Sequence, residues 1–263
     1  AFWNEAAQRI FGYAEQEARG RKLHELIVPE PYRVDFETRL DLAGGAVPGN
    51  VVGKTLELAG LRKDGTEIVT EHSISGVSIN RKWHTICIVR DITERKQFEE
   101  RIRYLANFDN LTGLPNRMLF FDRLGQAINL AQRNRYEFAL LYLDLDRFKS
   151  VNDTRGHDAG DAVLKAAAGR IQAQVRESDT VARIGGDEFA VILPKIAGPQ
   201  DAATVAGKII DALCASFPAG DAEHGNIDIG ASAGIAIFPK DGADMEALFR
   251  AADSAMYKSK QAG

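Results

Sequence analysis

The feature that most constrains this chain is the stretch from residue 183 to residue 193, RIGGDEFAVIL. Two apolar, strand-like segments flank Gly185 and Gly186, which are followed directly by Asp187 and Glu188. Glycines at a hairpin tip permit positive φ angles and let a ligand approach the backbone closely. Adjacent acids on such a turn suggest a divalent cation and a phosphate. The stretch therefore predicts a β-hairpin that carries two carboxylates at its tip.

A further acid follows the apolar run from residue 138 to residue 143, which is short enough to be a fully buried strand. Asp144 stands where that strand ends, so its carboxylate is held at the edge of a sheet. Considered alone, Asp144 is better explained as a helix cap or turn residue. With the hairpin acids included, Asp144 and Asp187 predict a site for one or two magnesium ions, which prefer carboxylate and phosphate oxygens.

Several spaced motifs in the second half resemble the GGDEF family, the diguanylate cyclases. They are the hairpin string GGDEF, the run from Phe138 to Asp161, the segment DNLTGLPNR at 109 to 117, and AADSAMY at 251 to 257. The resemblance covers residues 107 to 263 and implies a mixed central sheet surrounded by helices, similar to nucleotidyl cyclase folds. The implied reaction condenses two GTP molecules into cyclic di-GMP and releases pyrophosphate.

The resemblance also implies residue roles. Asp144 and Asp187 would ligate Mg²⁺, with Mn²⁺ as an alternative metal, and the Leu145 carbonyl would help. Asp187 and Glu188 would be catalytic, Glu188 acting at the metal or at the reacting hydroxyl. Guanine would be read by an amide and a carboxylate, and the triphosphate would be bound by lysines as point charges. The implied substrate-binding residues are Phe148, Lys149, Asn152, Asp161 and Lys260.

Upstream of the hairpin, Arg176 and Asp179 match the family's Arg-x-x-Asp inhibitory site, where product binds. Arginine suits planar recognition of guanine edges and phosphate. The alternative is an exposed i, i+3 ion pair at a helix end. The offset of this pair from a complete GGDEF string favours the product site.

The first half predicts a smaller α+β unit over residues 1 to 93. Alternating residues at 55 to 59 and 67 to 71 flank a Lys63-Asp64-Gly65 turn, and residues 83 to 89 form a third strand candidate. With WNEAA, FGY, KDGT and VRDITERK, this half resembles a PAS sensor domain. The family's first strand has no counterpart, so the chain is expected to begin inside the domain. Because no cysteine stands at an early helical position, the pattern argues against a flavin light sensor. Haem is left open as a ligand. A small-molecule or interaction sensor is favoured, and its ligand is unknown.

Residues 94 to 106 predict a charged linker helix without Gly or Pro. Phe98, Ile102 and Leu105 fall at i, i+4 and i+7 and form one apolar stripe. The stripe either lies on a neighbouring domain or pairs two chains in a short parallel coiled coil. The second interpretation suits the implied reaction, because each GGDEF domain would hold one GTP and catalysis would require a homodimer.

Composition excludes some partners. The net charge of −4 offers no positive field for nucleic acid or anionic lipid, and the acidic balance argues against a template-dependent polymerase. No run approaches the roughly 18 apolar residues of a membrane span. Cys87 and Cys214 stand singly in apolar stretches and predict reduced core thiols. A cytoplasmic location is predicted, with a membrane anchor upstream left open, and no direct membrane contact is expected within residues 1 to 263.

Two function classes remain in competition. The first is an active cyclase with sensory input and product control. The second is a binding module that holds GTP or cyclic di-GMP without turnover. The acids Asp144, Asp187 and Glu188 favour the enzyme, since a site that no longer catalyses a reaction does not need metal ligands. A phosphodiesterase domain after residue 263 is compatible with either class.

Overall fold

The computed structural model describes residues 3 to 34, 55 to 79, 82 to 217 and 225 to 262. The chain divides into two compact units, Ala1–Ile102 and Arg103–Gly263. Both combine helices with a sheet, which confirms the predicted α+β class. Among the helices in the described ranges, none is long and apolar enough to cross a bilayer.

In the first unit, short helices precede a three-stranded antiparallel sheet of order β1-β2-β3. Between β1 and β2, Gly65 adopts a φ of +87° and the Asp64 carboxylate accepts a hydrogen bond from the Thr66 N–H, so the predicted turn forms where its residues allow it. The elements are α1 (Glu5–Phe11), α2 (Glu15–Ala18), α3 (Leu23–Ile27), a 3-10 turn (Glu30–Tyr32), β1 (Thr55–Leu61), β2 (Glu67–Ile79) and β3 (Lys82–Asp91).

The inner face of β2 carries a polar pair among apolar residues. His72 is 1% exposed, and its ring nitrogens contact the Thr70 hydroxyl at 2.8 Å and the Cys87 sulfur at 3.5 Å. Burial lowers the pKa of His72 to about 4 and raises the pKa of the Cys87 thiol to about 11. Both groups are therefore neutral in the folded unit near pH 7.

Acidification is expected to destabilise this first unit through His72. The folded pKa of about 4 lies below the ordinary 6.5, so only the unfolded chain binds the proton between those values. The stabilisation is complete above pH 6.5 and is lost as the pH falls towards 4, by up to about 3 kcal/mol. Urea unfolding at pH 7 and pH 5 checks this. In His72→Gln the free energy of unfolding should depend less on pH, whereas the exposed control His157→Gln should keep the wild-type dependence. The same change of this free energy with pH in all three proteins would contradict the role given to His72.

The linker forms α4 (Thr93–Asn107), and none of its residues is buried. Its first turns are held to the sheet of the first unit by charge: Arg95 lies 3.5 Å from Glu57 and 3.4 Å from Glu71. Further along, the side chains of the predicted stripe are largely exposed, Phe98 at 68%, Ile102 at 66% and Leu105 at 40%. The apolar stripe is therefore not buried within the single chain.

The second unit is built on a four-stranded sheet of order β5-β6-β4-β7. All three strand pairings described in this sheet are antiparallel, so the mixed sheet that the sequence analysis expected is not what the described strands form. The elements are α5 (Arg117–Asn134), β4 (Phe138–Asp146), α6 (Phe148–Arg155), α7 (His157–Ala173), β5 (Thr180–Gly185), β6 (Glu188–Leu193), α8 (Pro199–Cys214), β7 (Gly230–Phe238) and α9 (Met245–Ala262).

Helices cover both faces of this sheet, which explains the apolar run of β4. Leu141 and Leu143 point towards a core formed with α6, α7 and α8, whereas Leu140 and Tyr142 point towards a core formed with α5 and α9. A continuous apolar run indicates burial on both faces, and here that burial occurs in an antiparallel sheet. The central position of β4 places its last residues at one fixed edge of the sheet.

Two local predictions need correction. Cys214 is exposed as the last residue of α8, because the apolar stretch around it buries other positions of the same helix; only Cys87 lies partly in a core. The strand expected at residues 227 to 229 is an isolated bridge between Ile227 and Phe217, and β7 begins at Gly230.

Candidate active site

Three acids lie on neighbouring backbone positions where β4 ends. Asp144 pairs directly with Glu188 across the β4–β6 ladder, and the Leu145 N–H donates a 3.2 Å hydrogen bond to the Asp187 carbonyl. The hairpin turns at Gly186, whose φ of +50° is a left-handed conformation that glycine adopts at little cost. The central strand and the hairpin tip therefore present their carboxylates at one corner of the sheet.

This corner concentrates negative charge at low solvent exposure. Asp144 is 8% exposed, and burial is the largest cause that raises its pKa; the Asp187 and Asp146 carboxylates raise it further. The hydrogen bond from the Lys260 ammonium, at 2.5 Å, opposes this shift. The same bond raises the pKa of Lys260, so that lysine stays charged. A cation at this corner would relieve the repulsion that remains.

The donor set fits a hard cation. Within the described residues, no three His, Cys, Asp or Glu side chains converge closely enough to hold an ion by themselves. Mg²⁺ does not require such a cage, because it commonly uses one or two carboxylates with water and substrate phosphate. Asp144, Asp187 and the Leu145 carbonyl would thus hold Mg²⁺ together with a phosphate-bearing ligand.

Asp146 is an additional acid at this strand end that has a partner of its own. The Ser232 hydroxyl of β7 donates to both of its carboxylate oxygens, at 2.9 and 3.1 Å. A side chain on Gly230, the residue opposite Asp146, would press on the same carboxylate. Asp146 is therefore held by β7 and contributes charge to the corner.

The predicted guanine residues lie on neighbouring helices. Asn152 is half-buried on α6 and Asp161 is exposed on α7. Gly160 lets the helices approach, because a Cβ on this residue would overlap the Asn152 amide oxygen and lie 3.1 Å from the Phe148 ring. Phe148 is buried in the core beneath, so it supports this pair, while Lys149 is exposed at the start of α6.

An arginine that the sequence analysis did not assign holds the hairpin tip. The Arg183 guanidinium donates to both Asp109 oxygens, at 3.0 and 3.1 Å, and to the Gly186 carbonyl, at 2.9 and 2.7 Å. Burial by itself would raise the pKa of Asp109. Hydrogen bonds from Thr112 and Arg183 outweigh that effect, so the pKa of Asp109 lies below its ordinary value. Arg183 belongs to the hairpin motif and Asp109 to the DNLTGLPNR motif. Only the fold shows that these two residues form a pair.

Below the acids lies Tyr142, which is 4% exposed. Strand register places Glu188 diagonally from it on the same face of the sheet. Burial, and then the charge of Glu188, raise the pKa of the Tyr142 phenol. The Phe249 and Tyr142 rings pack in a T-shaped arrangement with centroids 4.9 Å apart.

The Arg176–Asp179 motif forms a turn between α7 and β5. The Asp179 carboxylate accepts hydrogen bonds from the Arg176 backbone N–H at 2.9 Å and from the Ser178 hydroxyl at 3.3 Å. The Arg176 side chain itself is exposed. The motif is thus organised through its backbone, which differs from the ion pair considered as the alternative.

Fold and site together define an α+β domain of the nucleotidyl cyclase type. A family model described as "Diguanylate cyclase, GGDEF domain" matches residues 106–263, and a PAS domain model matches residues 1–94. The chain belongs to the GGDEF family, with a PAS domain ahead of the GGDEF domain, as the motifs predict.

Known relatives agree with this assignment. MucR of Pseudomonas aeruginosa, a bifunctional diguanylate cyclase/cyclic di-GMP phosphodiesterase, is 50% identical over 159 residues, which are 60% of this chain and 23% of MucR. The GGDEF domain structure of TpbB from the same species is 43% identical, with a TM-score of 0.57, covering 59% of this chain and 90% of that chain. The coiled coil and GGDEF domain of DgcB from Caulobacter crescentus, in complex with c-di-GMP, is 30% identical, with a TM-score of 0.59, covering 65% of this chain and 90% of that chain. The chain spans between 23% and 36% of the length of the first curated relatives.

Proposed function

We propose that this chain is a diguanylate cyclase that condenses two GTP molecules into cyclic di-GMP with release of pyrophosphate. The observation that carries the proposal is that strand pairing brings Asp144, Asp187 and Glu188 to the end of β4, where Lys260 bonds Asp144. Relatives named as diguanylate cyclases support it. The reaction joins the 3′-hydroxyl of each GTP to the α-phosphorus of the other, and each of the two steps breaks the bond to one pyrophosphate leaving group.

Each site residue has a role that follows from its chemistry. Bound Mg²⁺ would lower the pKa of the attacking hydroxyl and neutralise charge on the leaving group. Asp144, Asp187 and the Leu145 carbonyl would hold that ion. Glu188 would act at the metal or take the hydroxyl proton, and Lys260 and Lys149 would bind the triphosphate. Asn152 and Asp161 would hydrogen-bond the guanine edge, where O6 accepts and N1–H and N2–H donate.

The first test is product formation. Purified protein is incubated with GTP and Mg²⁺, and cyclic di-GMP is sought by chromatography at several protein concentrations. Product from the wild type and none from Asp187→Ala would support the cyclase. GTP binding without turnover, even at concentrations that favour dimers, would instead support a binding module.

Catalysis would require a homodimer, because each GGDEF domain would hold one of the two GTP molecules. The exposed stripe of α4 supports this proposal, since Phe98 and Ile102 are suited to pairing with a second copy. The PAS unit would then act as the sensor, for a ligand that is unknown. We place the reaction in the cytoplasm, where GTP and a reducing environment are present.

Product is expected to inhibit the enzyme at Arg176 and Asp179. Arg176→Ala should raise the half-inhibitory concentration of cyclic di-GMP at least about tenfold, as expected for losing a hydrogen bond to a charged group, with turnover at low product retained. Initial rates with added cyclic di-GMP measure this. Arg133→Ala, an exposed arginine on α5, is the matched control. Unchanged inhibition in Arg176→Ala would remove this role.

A further inference from the structure

One basic side chain reaches the acidic corner of the second unit. The Lys260 ammonium, near the end of α9, donates a 2.5 Å hydrogen bond to Oδ1 of Asp144. This bond is the largest cause that raises the pKa of Lys260, and the charges of Asp144, Asp146 and Asp187 raise it further. The ammonium of Lys260 is therefore a counterion for these three carboxylates.

The two partners of this bond differ in their freedom to move. Asp144 belongs to the central strand β4, and its side chain is 11% exposed, whereas the side chain of Lys260 is 40% exposed. The backbone of α9 is held against β7, because a Cβ on Gly234 would overlap backbone atoms of Ala252 and Met256. The ammonium, in contrast, stands at the end of a flexible four-carbon stem. The Lys260 side chain can therefore turn away while the Asp144 carboxylate stays in place.

A divalent ion at this corner would need the carboxylate that Lys260 already binds. Magnesium and similar hard cations bind carboxylate oxygens directly. Two cations beside one carboxylate repel each other, and the repulsion is stronger where protein replaces water, as it does around Asp144. Lys260 is thus expected to weaken the binding of a divalent ion at Asp144.

We propose that Lys260 is an internal counterion that competes with the divalent ion for Asp144 and is released towards the triphosphate when both ion and nucleotide bind. Without nucleotide, the displaced ammonium has only water as a partner. With GTP, phosphate oxygens accept it, so ion and nucleotide should strengthen each other's binding. This inference rests on the proposed function, because it concerns the ion and the triphosphate of the GTP site.

The test is a titration of the nucleotide-free full chain with Mn²⁺ at pH 8, with free Mn²⁺ measured by electron paramagnetic resonance. An opposite charge within about 4 to 6 Å favours an ionised carboxylate by about 1 to 3 pKa units, each worth a factor of about ten. Lys260→Met removes this competing charge, so the Kd for Mn²⁺ should fall at least about tenfold. Lys260→Arg keeps the charge and should keep the wild-type Kd. Lys258→Met, the same change at an exposed position of α9, is the matched control and should also keep it.

A Kd in Lys260→Met that equals or exceeds the wild-type value overturns the inference. So does a low Kd that persists when Asp144→Asn is added to Lys260→Met, because the ion then binds elsewhere. An α,β-methylene GTP analogue should lower the Kd for Mn²⁺ more in the wild type than in Lys260→Met, and an equal effect in both proteins removes the exchange. The nucleotide-free titration requires no turnover, so its result is independent of whether the protein forms cyclic di-GMP.

Discussion

Replacing Asp144 with Asn is expected to abolish cyclic di-GMP formation while leaving the domain folded. Asn keeps the shape of Asp144 but removes the charge that would hold Mg²⁺. Stabilisation of transition-state charge by a metal is worth several kcal/mol, and each 1.4 kcal/mol or so is tenfold in rate, so we expect a loss of about 1000-fold or more. Pyrophosphate release from GTP measures it.

The same variant should be at least as stable as the wild type at pH 7. The folded pKa of Asp144 is raised, mainly by burial, so the ionised carboxylate costs stability above its unfolded pKa. Asn does not carry this cost, and Lys260, whose side chain is 40% exposed, can return to water. Asp211→Asn, an exposed change on α8, is the control and should alter neither property. Near-normal turnover in Asp144→Asn would contradict the assignment of Asp144.

Substituting Gly234 with Ala is expected to destabilise the second unit strongly. Gly234 lies in β7 beneath α9, and an added Cβ would overlap the Ala252 carbonyl oxygen and the Met256 backbone nitrogen. Backbone atoms of a packed helix cannot rotate away, so we expect a cost of about 3 kcal/mol or more. For a unit of this size, that lowers the unfolding temperature by roughly 6 to 12 °C. Thermal unfolding by circular dichroism measures it.

Gly207→Ala is the matched control for this change. Gly207 lies within α8, and apart from its own helix backbone no atom of the described residues lies within 4 Å of the position its Cβ would take. Alanine is the better helix former, so this variant should be as stable as the wild type or up to about 1 kcal/mol more stable. Gly234→Ala should also reduce turnover, because α9 carries Lys260 to Asp144. Equal unfolding temperatures for the two variants would show that α9 can move aside.

Local chemistry explains why some elements are predictable from this sequence. The β5–β6 hairpin is predictable because Gly185 and Gly186 interrupt two apolar strands, and the Lys63-Asp64-Gly65 turn is predictable for a similar reason. Strand β4 is apparent from its unbroken apolar run. Its antiparallel pairing with β7 is not, because burial on both faces looks the same in parallel and antiparallel sheets.

The family, the order of the two domains and the acids at turns and strand ends can be predicted from the sequence, because these depend on backbone preferences and motif spacing. Which side chains come into contact depends on the fold as a whole. The Arg183–Asp109 pair joins positions 74 residues apart, and the Lys260–Asp144 pair joins positions 116 residues apart. The pairing of Asp144 with Glu188 likewise depends on strand register, which no local pattern specifies.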